Sequence, residues 1–351
     1  PDPSRTAKNA VTGKELGLYD ETYPALTSDE RLRMAIDASI FKMHCGEGLI
    51  SEEGEYSDSI FDSLVLDSNG LRCRHTETSF EYGVEVTVQD ADGNRFSSYW
   101  WDATPMLKDL NIKDCGEIAF KRAMSQIGPV KIESGKYSMV IESEVASRLV
   151  TPVLNALGGY SLQQKNSFML DSLGKKMFPE WLNIWDRPVS VGETGSRLFD
   201  SEGVATAEMP IVENGVVKEY FVNTYMSRKM GVEATVEDAT RPVVLPCFAP
   251  SVAEPVEATC GKEELMRIVG EGILVTGFNG GNSNSATGDF SFGVEGFLFK
   301  DGKIVHPVRE MLITGNLLTL WNNLLAAGND ARFCKSKLIP TLAFGNVDFS
   351  A

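Results

Sequence analysis

Apolar side chains recur every three or four positions in five stretches of the chain, a spacing that predicts amphipathic helices. The first stretch begins at a capping box, in which Thr27 and Glu30 are placed to bond each other's backbone amides, and continues as one apolar stripe to Gly46. The third contains Pro152, which lacks an amide hydrogen and is expected to kink its helix. The predicted helices cover residues 27–46, 114–128, 143–158, 262–269 and 317–325.

Elsewhere apolar and polar residues alternate, which predicts strands with one buried face. Residues 60–101 contain three such runs separated by turn sequences at 68–70 and 90–94, and therefore predict an antiparallel meander. Two further hairpins are predicted at Asn214-Gly215 and Asp301-Gly302, dipeptides that favour two-residue turns. Hairpins outnumber strand–helix–strand units. This favours an α+β fold with two domains, built from largely antiparallel sheets and packed helices, over a doubly wound parallel sheet.

The length of 351 residues is consistent with about two domains. Gly128-Pro129 is the predicted boundary. Residues 1–129 are interpreted as the remainder of an N-terminal α/β domain with a linker and the meander, and residues 130–351 as a strand-rich C-terminal domain. Residues 1–26 are polar and contain three prolines, so we expect an extended lead-in. The first residue is not methionine, and we interpret the chain as a piece of a longer protein.

Charge and composition exclude several classes of function. The net charge of −16 repels nucleic acids and anionic lipid headgroups, so neither DNA, RNA nor a membrane is an expected partner. No apolar stretch approaches the roughly 20 residues of a membrane span. The six cysteines form no close pair, which indicates free thiols in a reducing compartment, and we predict a cytoplasmic protein.

The sequence contains no recognisable metal or nucleotide motif of its own. A catalytic zinc needs three protein ligands and an open position for water. The only histidines are His44, His75 and His306, each isolated and none in an H-E-x-x-H sequence. Residues 281–285 approach a nucleophile elbow but end in serine, and no glycine-rich phosphate-binding sequence occurs.

One glycine-rich segment, residues 277–293, stands out between a buried strand and a predicted hairpin. Glycine lets the backbone approach closely to a ligand or another chain, so we interpret the segment as a candidate binding loop. Composition alone does not separate this interpretation from a mobile connector.

The same segment carries a family resemblance. Its Thr287-Gly288-Asp289-Phe290-Ser291 sequence, with the blocks that follow it in order and spacing, resembles the C-terminal signature of the PmbA/TldD family. The following blocks are 296–297, 301–304, 307–308 and 313–316, and three upstream blocks at 166–175, 199–204 and 225–231 are similar to further family sequences. The resemblance covers most of residues 60–350 and implies a two-domain α+β fold whose N-terminal domain is only partly present.

The family contains TldD-like chains with a His-Glu-x-x-x-His zinc motif and a distal cysteine ligand, and PmbA-like (TldE) chains without them. When this chain is aligned with the family on the block at 166–175, the zinc motif falls at Val150, Thr151 and Asn155. None of these three residues can replace the histidines or the glutamate. Cys334 lies where the distal cysteine is expected, either as a remnant ligand or as a buried free thiol. The resemblance therefore implies no metal and no catalytic residue in this chain, with zinc held by a TldD-like partner.

The resemblance also implies a function. TldD-like and PmbA-like chains pair into a cytosolic peptidase that trims or degrades short unfolded polypeptides, and this chain is expected to be the metal-free subunit, with a homodimer as its form when alone. Its candidate peptide-binding residues are Gly280, Gly281, Asn282, Thr287, Gly288, Asp289 and Ser291. Two alternatives stay open. Cys334 or a serine of the loop could act as a metal-free nucleophile, or the chain could be a non-catalytic regulator that binds gyrase or a toxin–antitoxin pair.

Overall fold

The computed structural model of the protein describes residues 16–68, 70–252 and 260–351. Its first sheet is a three-stranded antiparallel meander of β1 (Leu49–Leu66), β2 (Arg72–Gln89) and β3 (Arg95–Thr104). The meander predicted at 60–101 is confirmed, although β1 begins before residue 60. Of its first turn, Asn69 lies outside the described residues. We call residues 16–127 the meander part.

Three helices accompany the meander: α1 (Ser28–Asp37), α2 (Phe41–His44) and α3 (Lys113–Ser125). The predicted capping box of α1 is present, and α3 buries Ala119, Phe120 and Ala123 against the valines of β2. Helix α3 ends at Ser125, slightly before the predicted residue 128.

The single helix predicted over 27–46 is wrong, because it is interrupted at Ser39. The carboxylate of Glu52 accepts hydrogen bonds from the amides of Ile40 and Phe41 at 3.0 and 2.9 Å, which starts a new helix there. Most of the predicted apolar stripe also stays in solvent, since the side chains of Leu32 and Ile36 are 59% and 60% exposed, whereas Ile40 is buried.

Where the structure describes it, the lead-in predicted for residues 1–26 is packed against the rest of the protein. Leu16 and Leu18 are buried. The carbonyl oxygen of Leu18 accepts the amide of Thr78 at 2.9 Å, and that of Leu16 accepts the amide of Gly192 at 2.7 Å. Residues 1–15 lie outside the described residues.

Residues 130–351 are built around a second sheet, with strand order β12-β11-β10-β4-β14-β13-β9. All its pairings are antiparallel except β4 with β10. Strand β12 pairs with β14 as well as β11, so five strands close into a ring; we call residues 130–351 the ring part. The strands are β4 (Gly135–Ile141), β9 (Cys247–Phe248), β10 (Gly272–Ser283), β11 (Asp289–Lys300), β12 (Lys303–Asn316), β13 (Leu324–Ala327) and β14 (Leu342–Ser350).

A smaller four-stranded antiparallel sheet of order β7-β6-β5-β8 packs beside the ring. Its strands are β5 (Ile184–Asp186), β6 (Met209–Glu213), β7 (Val216–Val217) and β8 (Pro242–Val244). The hairpins predicted at Asn214-Gly215 and Asp301-Gly302 are confirmed, and all four residues have the positive φ that their turn requires. The α+β fold with largely antiparallel sheets is therefore confirmed.

Among the residues of the ring part that the structure describes, there are five helices: α4 (Ser143–Ala156), α5 (Gly159–Gln163), α6 (Thr224–Met230), α7 (Lys262–Val269) and α8 (Leu317–Asn322). Helix α4 buries the predicted face and runs through Pro152, but its N-cap is Glu142 instead of Ser143. The helix predicted over 317–325 is too long. Leu324 pairs with Phe344 of β14 and belongs to strand β13.

The main core lies between the ring, α4 and the small sheet. Trp321 of α8 is fully buried at its centre, with its ring edge-on to Phe178 and Phe344 and its Nε1 donating to the carbonyl of Leu149 at 3.3 Å. This core fixes α4 and the strand β10 relative to each other, and these two elements position the candidate site.

Arg332 joins the two parts. Its guanidinium carbon lies 4.4 Å from the centre of the Trp100 ring, and its Nη2 donates to the carbonyl of Trp101 at 2.5 Å. Its Nη1 donates to Glu144 at the start of α4 at 2.6 Å, a carboxylate shared with Lys335. The side chain of Arg332, a residue of the ring part, is thus stacked on β3 of the meander part and ion-paired with Glu144 of the ring part.

Candidate functional site

The positions registered on the zinc motif occupy different sides of α4. Val150 is fully buried in the main core, Thr151 is half-buried and Asn155 is exposed. A separation of five residues turns about 140° around a helix axis, so Val150 and Asn155 point apart. Neither valine nor threonine offers a zinc ligand of the expected kind. The three side chains also point in directions that do not meet at one metal ion.

Cys334 is placed away from Asn155. It lies beside Arg332, Lys335 and Glu144, and Glu144 is at the beginning of α4. Asn155 is near the end of α4, about 16 Å from Glu144 along the helix axis. Burial raises the pKa of the Cys334 thiol, and the neighbouring Arg332 only partly opposes this. A thiol held protonated is a poor ligand and a poor nucleophile.

The histidines lie in three separate places. His44 is held between Glu47 and Glu117, whose carboxylates raise its pKa, and it stacks on Phe120. His75 is buried on β2, and His306 is exposed on β12. Within residues 16–68, 70–252 and 260–351, no three His, Cys, Asp or Glu side chains come together as a metal site.

The glycine-rich segment is a β-hairpin, so its interpretation as a loop is corrected. Gly280, Gly281 and Asn282 belong to β10 and Ser291 to β11, and only residues 284–288 form the turn. Gly281 has φ +90°, and a Cβ there would lie 2.0 Å from the carbonyl oxygen of Ser291. The glycines thus permit close strand pairing across a register shift between Phe278 and Gly280.

Aromatic side chains between the glycines hold the hairpin together. The rings of Phe290 and Phe292 stack at 5.2 Å, and Phe278 meets Phe292 edge-on at 5.5 Å. Such pairs contribute about 0.5–1.5 kcal/mol beyond their burial. The segment is therefore an ordered element whose backbone is exposed between packed rings.

The turn of the hairpin is fixed by Thr287 and Asp289, two of the residues predicted to bind peptide, together with Asn316. The hydroxyl of Thr287 donates to Asp289 at 2.7 Å, and Asn316 Nδ2 donates to the same carboxylate at 3.0 Å and to the carbonyl of Thr287 at 2.8 Å. Hydrogen bonds from Asn316 and Thr287 lower the pKa of Asp289. Gly288 is buried against Phe168, while Thr287 and Asp289 remain exposed. Asp289 thus anchors the turn with its side chain at the surface.

The hairpin turn also contacts residues 166–175, one of the three upstream sequence blocks. The amide of Phe168 donates to the carbonyl of Ser285 at 2.9 Å, and Asn166 Nδ2 donates to the Ser285 hydroxyl at 2.9 Å. The amide of Leu317 donates to the carbonyl of Gly288 at 2.8 Å, at the start of α8. Segments distant in sequence therefore meet at one surface.

Arg148 of α4 completes this surface. It was not among the site residues predicted from the sequence. Its Nη2 donates to the carbonyl of Gly281 at 2.7 Å, and its guanidinium lies 5.1 Å from the centre of the Phe292 ring. It shares the solvent-facing stripe of α4 with Thr151 and Asn155. A cation within a helix that is otherwise rich in apolar residues was the available signal. We call the hairpin residues 277–293 with this stripe of α4 the hairpin surface.

The hairpin surface is open in the single chain. Two clefts of about 790 and 660 Å³ lie elsewhere, the first beside Leu16, Asp62 and His75 and the second beside α3, and neither is lined by residues 280–291. The arrangement offers exposed backbone and one cation, groups that can bind a ligand by hydrogen bonds.

Models of two family domains match the chain. That of the PmbA/TldA metallopeptidase central domain matches residues 18–127, and that of the PmbA/TldA metallopeptidase C-terminal domain matches residues 134–351. The chain belongs to the PmbA/TldD family. The resemblance inferred from the sequence blocks is thereby confirmed, and the hairpin surface lies within the C-terminal PmbA/TldD match.

Individual PmbA/TldD relatives agree with this assignment. Metalloprotease PmbA from Escherichia coli O157:H7 is 29% identical over 97% of this chain and 76% of that protein. A crystal structure of a candidate modulator of DNA gyrase from Bacteroides thetaiotaomicron VPI-5482 is 39% identical, with a TM-score of 0.92 over 100% of this chain and 77% of that one. TldE from Thermococcus kodakarensis, 19% identical, shares the fold with a TM-score of 0.78 over 97% and 79%. The chain therefore spans about three quarters of the length of these proteins.

None of the helices in the described ranges is both long and apolar enough to cross a membrane. All six cysteines are unpaired, and of these only Cys45 is exposed and Cys334 half-buried.

Proposed function

We propose that this chain is the non-catalytic subunit of a TldD/PmbA-type metallopeptidase, paired with a TldD-like chain that holds the zinc. The main support for this proposal is that Val150, Thr151 and Asn155 stand at the positions aligned with the zinc motif, while the surrounding family framework is intact. A buried valine and an exposed asparagine cannot share one metal ion. The unpaired cysteines fit a cytoplasmic complex.

The hairpin surface is proposed to line the peptide cleft of that complex. Strand β10 pairs with β4 only at Ile273–Val275, so beyond Gly277 its edge opposite β11 has no strand neighbour in the part of the chain that the structure describes. An extended, unfolded peptide can add to such an edge through main-chain hydrogen bonds. Binding of this kind depends little on sequence, as degradation of short unfolded polypeptides requires.

The assembly is tested by metal and activity measurements on separated and combined chains. Alone, this chain is expected to bind no stoichiometric zinc and to hydrolyse no peptide, and light scattering is expected to show a homodimer. With a TldD-like chain, the mixture should contain zinc and cleave short peptides. Zinc-dependent cleavage by this chain alone would refute the proposal.

The role of the hairpin is tested by Asp289→Ala in the assembled complex. Loss of the bonds to Thr287 and Asn316 is expected to loosen the turn and lower peptide turnover several-fold, with this subunit still folded by circular dichroism. Asp92→Ala, at an exposed turn of the meander, is the matched control and should leave turnover unchanged. Equal turnover for both variants would contradict a role of the hairpin in peptide binding.

A second candidate function is favoured by one comparison. The structure at 39% identity is described as a candidate modulator of DNA gyrase, and a chain of net charge −16 suits binding to a protein more than to DNA. On this alternative the chain would capture gyrase, or a toxin–antitoxin pair, without a TldD-like partner. A pull-down with purified gyrase and no TldD-like chain separates the two functions.

A further inference from the structure

The cleft of about 660 Å³ lies between the meander part and the ring part, apart from the hairpin surface. One wall is a single face of α3, and the floor is formed by Leu274 and Phe297 of the ring sheet. Ile304 and Val305 of β12 form an apolar rim, and their side chains are 49% and 47% exposed. The volume is within the range of about 300–1,000 Å³ of small-ligand sites.

Among the described residues that line this cleft, three side chains are basic and one is a carboxylate. Glu142, with only 5% of its side chain exposed, accepts hydrogen bonds from Arg122 Nη2 at 2.9 Å and Lys262 Nζ at 2.7 Å. Lys121 is exposed on α3 and has no hydrogen bond or ion pair with any other described residue. The described lining of the cleft is therefore electropositive in a chain of net charge −16, and Lys121 lines it together with the apolar side chains of Leu274 and Phe297.

The rim of the cleft also offers unpaired backbone. Strand β12 pairs with β11 along one edge; along the other it pairs with β14 at residues 312–314 and with Val130 at Val308. Over residues 303–306 this second edge has no strand partner within the described ranges. Main-chain groups at a strand edge bind an extended peptide, whereas an acyl chain cannot use them.

We infer that this cleft binds the carboxyl terminus of a peptide whose last residues are apolar. The terminal carboxylate lies against Lys121 and Arg122, the apolar side chains lie on Phe297, Ile304 and Val305, and the peptide backbone follows β12. The inference rests on the proposed function only in taking peptides as the ligand class. The site is distinct from the hairpin surface, because Leu274 faces away from the main core that contains its neighbours Ile273 and Val275.

Calorimetric titration of the full chain, without any partner subunit, tests the ligand class. The probes are a synthetic pentapeptide ending in two leucines with a free carboxyl terminus, the same peptide as its C-terminal amide, and decanoate. The free acid is expected to bind and the amide to bind at least about tenfold more weakly, because charge-assisted hydrogen bonds are lost.

Two variants with opposite expected signs test the site. Lys121→Gln should weaken binding of the free acid roughly threefold, while Lys113→Gln, on an exposed position of the same helix outside the cleft, should leave it unchanged. Glu142→Gln removes the carboxylate that pairs with Arg122 and Lys262 and so releases both cations, and it should tighten binding several-fold. Circular dichroism checks that each variant is folded.

Several results would overturn the inference: equal affinity for the acid and the amide, no binding at millimolar peptide, or weaker binding by a folded Glu142→Gln variant. Binding of decanoate in place of the peptide would instead assign the cleft to acyl chains. None of these outcomes concerns zinc or the pairing of subunits, so the proposed function would fail or stand independently.

Discussion

The meander part and the ring part differ in how completely each buries its own apolar residues. The ring part closes five strands into a ring that packs, with α4 and the small sheet, on a large core containing Trp321 and Phe344. The meander part packs α3 on one sheet, while Leu32 and Ile36 of α1 and much of the edge strand β1 remain in solvent. From this difference in burial we expect the ring part to contribute most of the free energy of unfolding, and the meander part to depend on contacts such as that of Arg332.

The largest expected effect is that of Trp321→Ala in the core of the ring part. Removing a fully buried indole should cost about 3–5 kcal/mol of the free energy of unfolding. Chemical denaturation measures this loss, and Trp321→Phe, which keeps most of the apolar volume, is the control. A loss below 1 kcal/mol for Trp321→Ala would contradict the assignment of the main core to the ring part.

A smaller effect is expected from Arg332→Ala, at the junction of the two parts. The variant loses the stacking on Trp100 and the charged hydrogen bonds to Glu144 and Trp101, at a cost of about 2 kcal/mol. Hydrogen exchange should rise first in β3 and α3, and only later in the ring strands. Arg332→Lys keeps the charge but not the planar stacking, and should fall between the wild type and the alanine variant. Uniform exchange in both parts would remove the distinction between them.

The ion pairs of Glu142 provide a pH-dependent test of the same junction, because Arg122 belongs to the meander part and Lys262 to the ring part. Burial raises the pKa of Glu142, but the two cations outweigh it and hold the pKa below its ordinary value of 4.5. The stabilisation is therefore complete above pH 4.5 and is lost as the pH falls through the folded-state pKa. Scanning calorimetry should show the difference in melting temperature between wild type and Glu142→Gln shrinking below pH 4.5. A difference that stays constant with pH would exclude this role of the carboxylate.

The smallest effect is expected on the exposed stripe of α1. Leu32→Gln should change the free energy of unfolding by no more than about 0.5 kcal/mol, because the side chain is already in solvent. Leu18→Gln, at a buried position of the same part, is the control and should destabilise strongly. If Leu32→Gln were as costly as Leu18→Gln, the stripe would be covered in solution.

The parts of the fold that sequence predicts well are those that local chemistry determines. The alternating meander, the two hairpins with positive-φ turns and the buried face of α4 all follow from patterns within a few residues. The failures come from distant contacts. Glu52 lies on the following strand β1, and its carboxylate accepts the amides that begin a second helix, so the first helix ends early. Pairing with β14 places Leu324 in a strand instead of a helix. Neither partner is visible in the local pattern.

The candidate site follows the same division. The absence of ligands at Val150, Thr151 and Asn155 could be predicted from the sequence blocks, but their divergence around α4 required the helix geometry. Glycine and asparagine made residues 277–293 resemble a loop, because the phenylalanines that pair across the hairpin do so only once β10 and β11 are in register. Arg148 was missed because its partner, the carbonyl of Gly281, is a backbone atom more than a hundred positions away.

The closed ring has a consequence for biosynthesis. Its closing strand β14 comes last in the ring part, yet it pairs with β4, which comes first, and with β12. A nascent chain that has not yet emerged from the ribosome as far as residue 342 exposes the unpaired edges of β4 and β12 at once. Such edges invite pairing with other chains, so we expect this protein to be most prone to aggregation in the interval before β14 emerges.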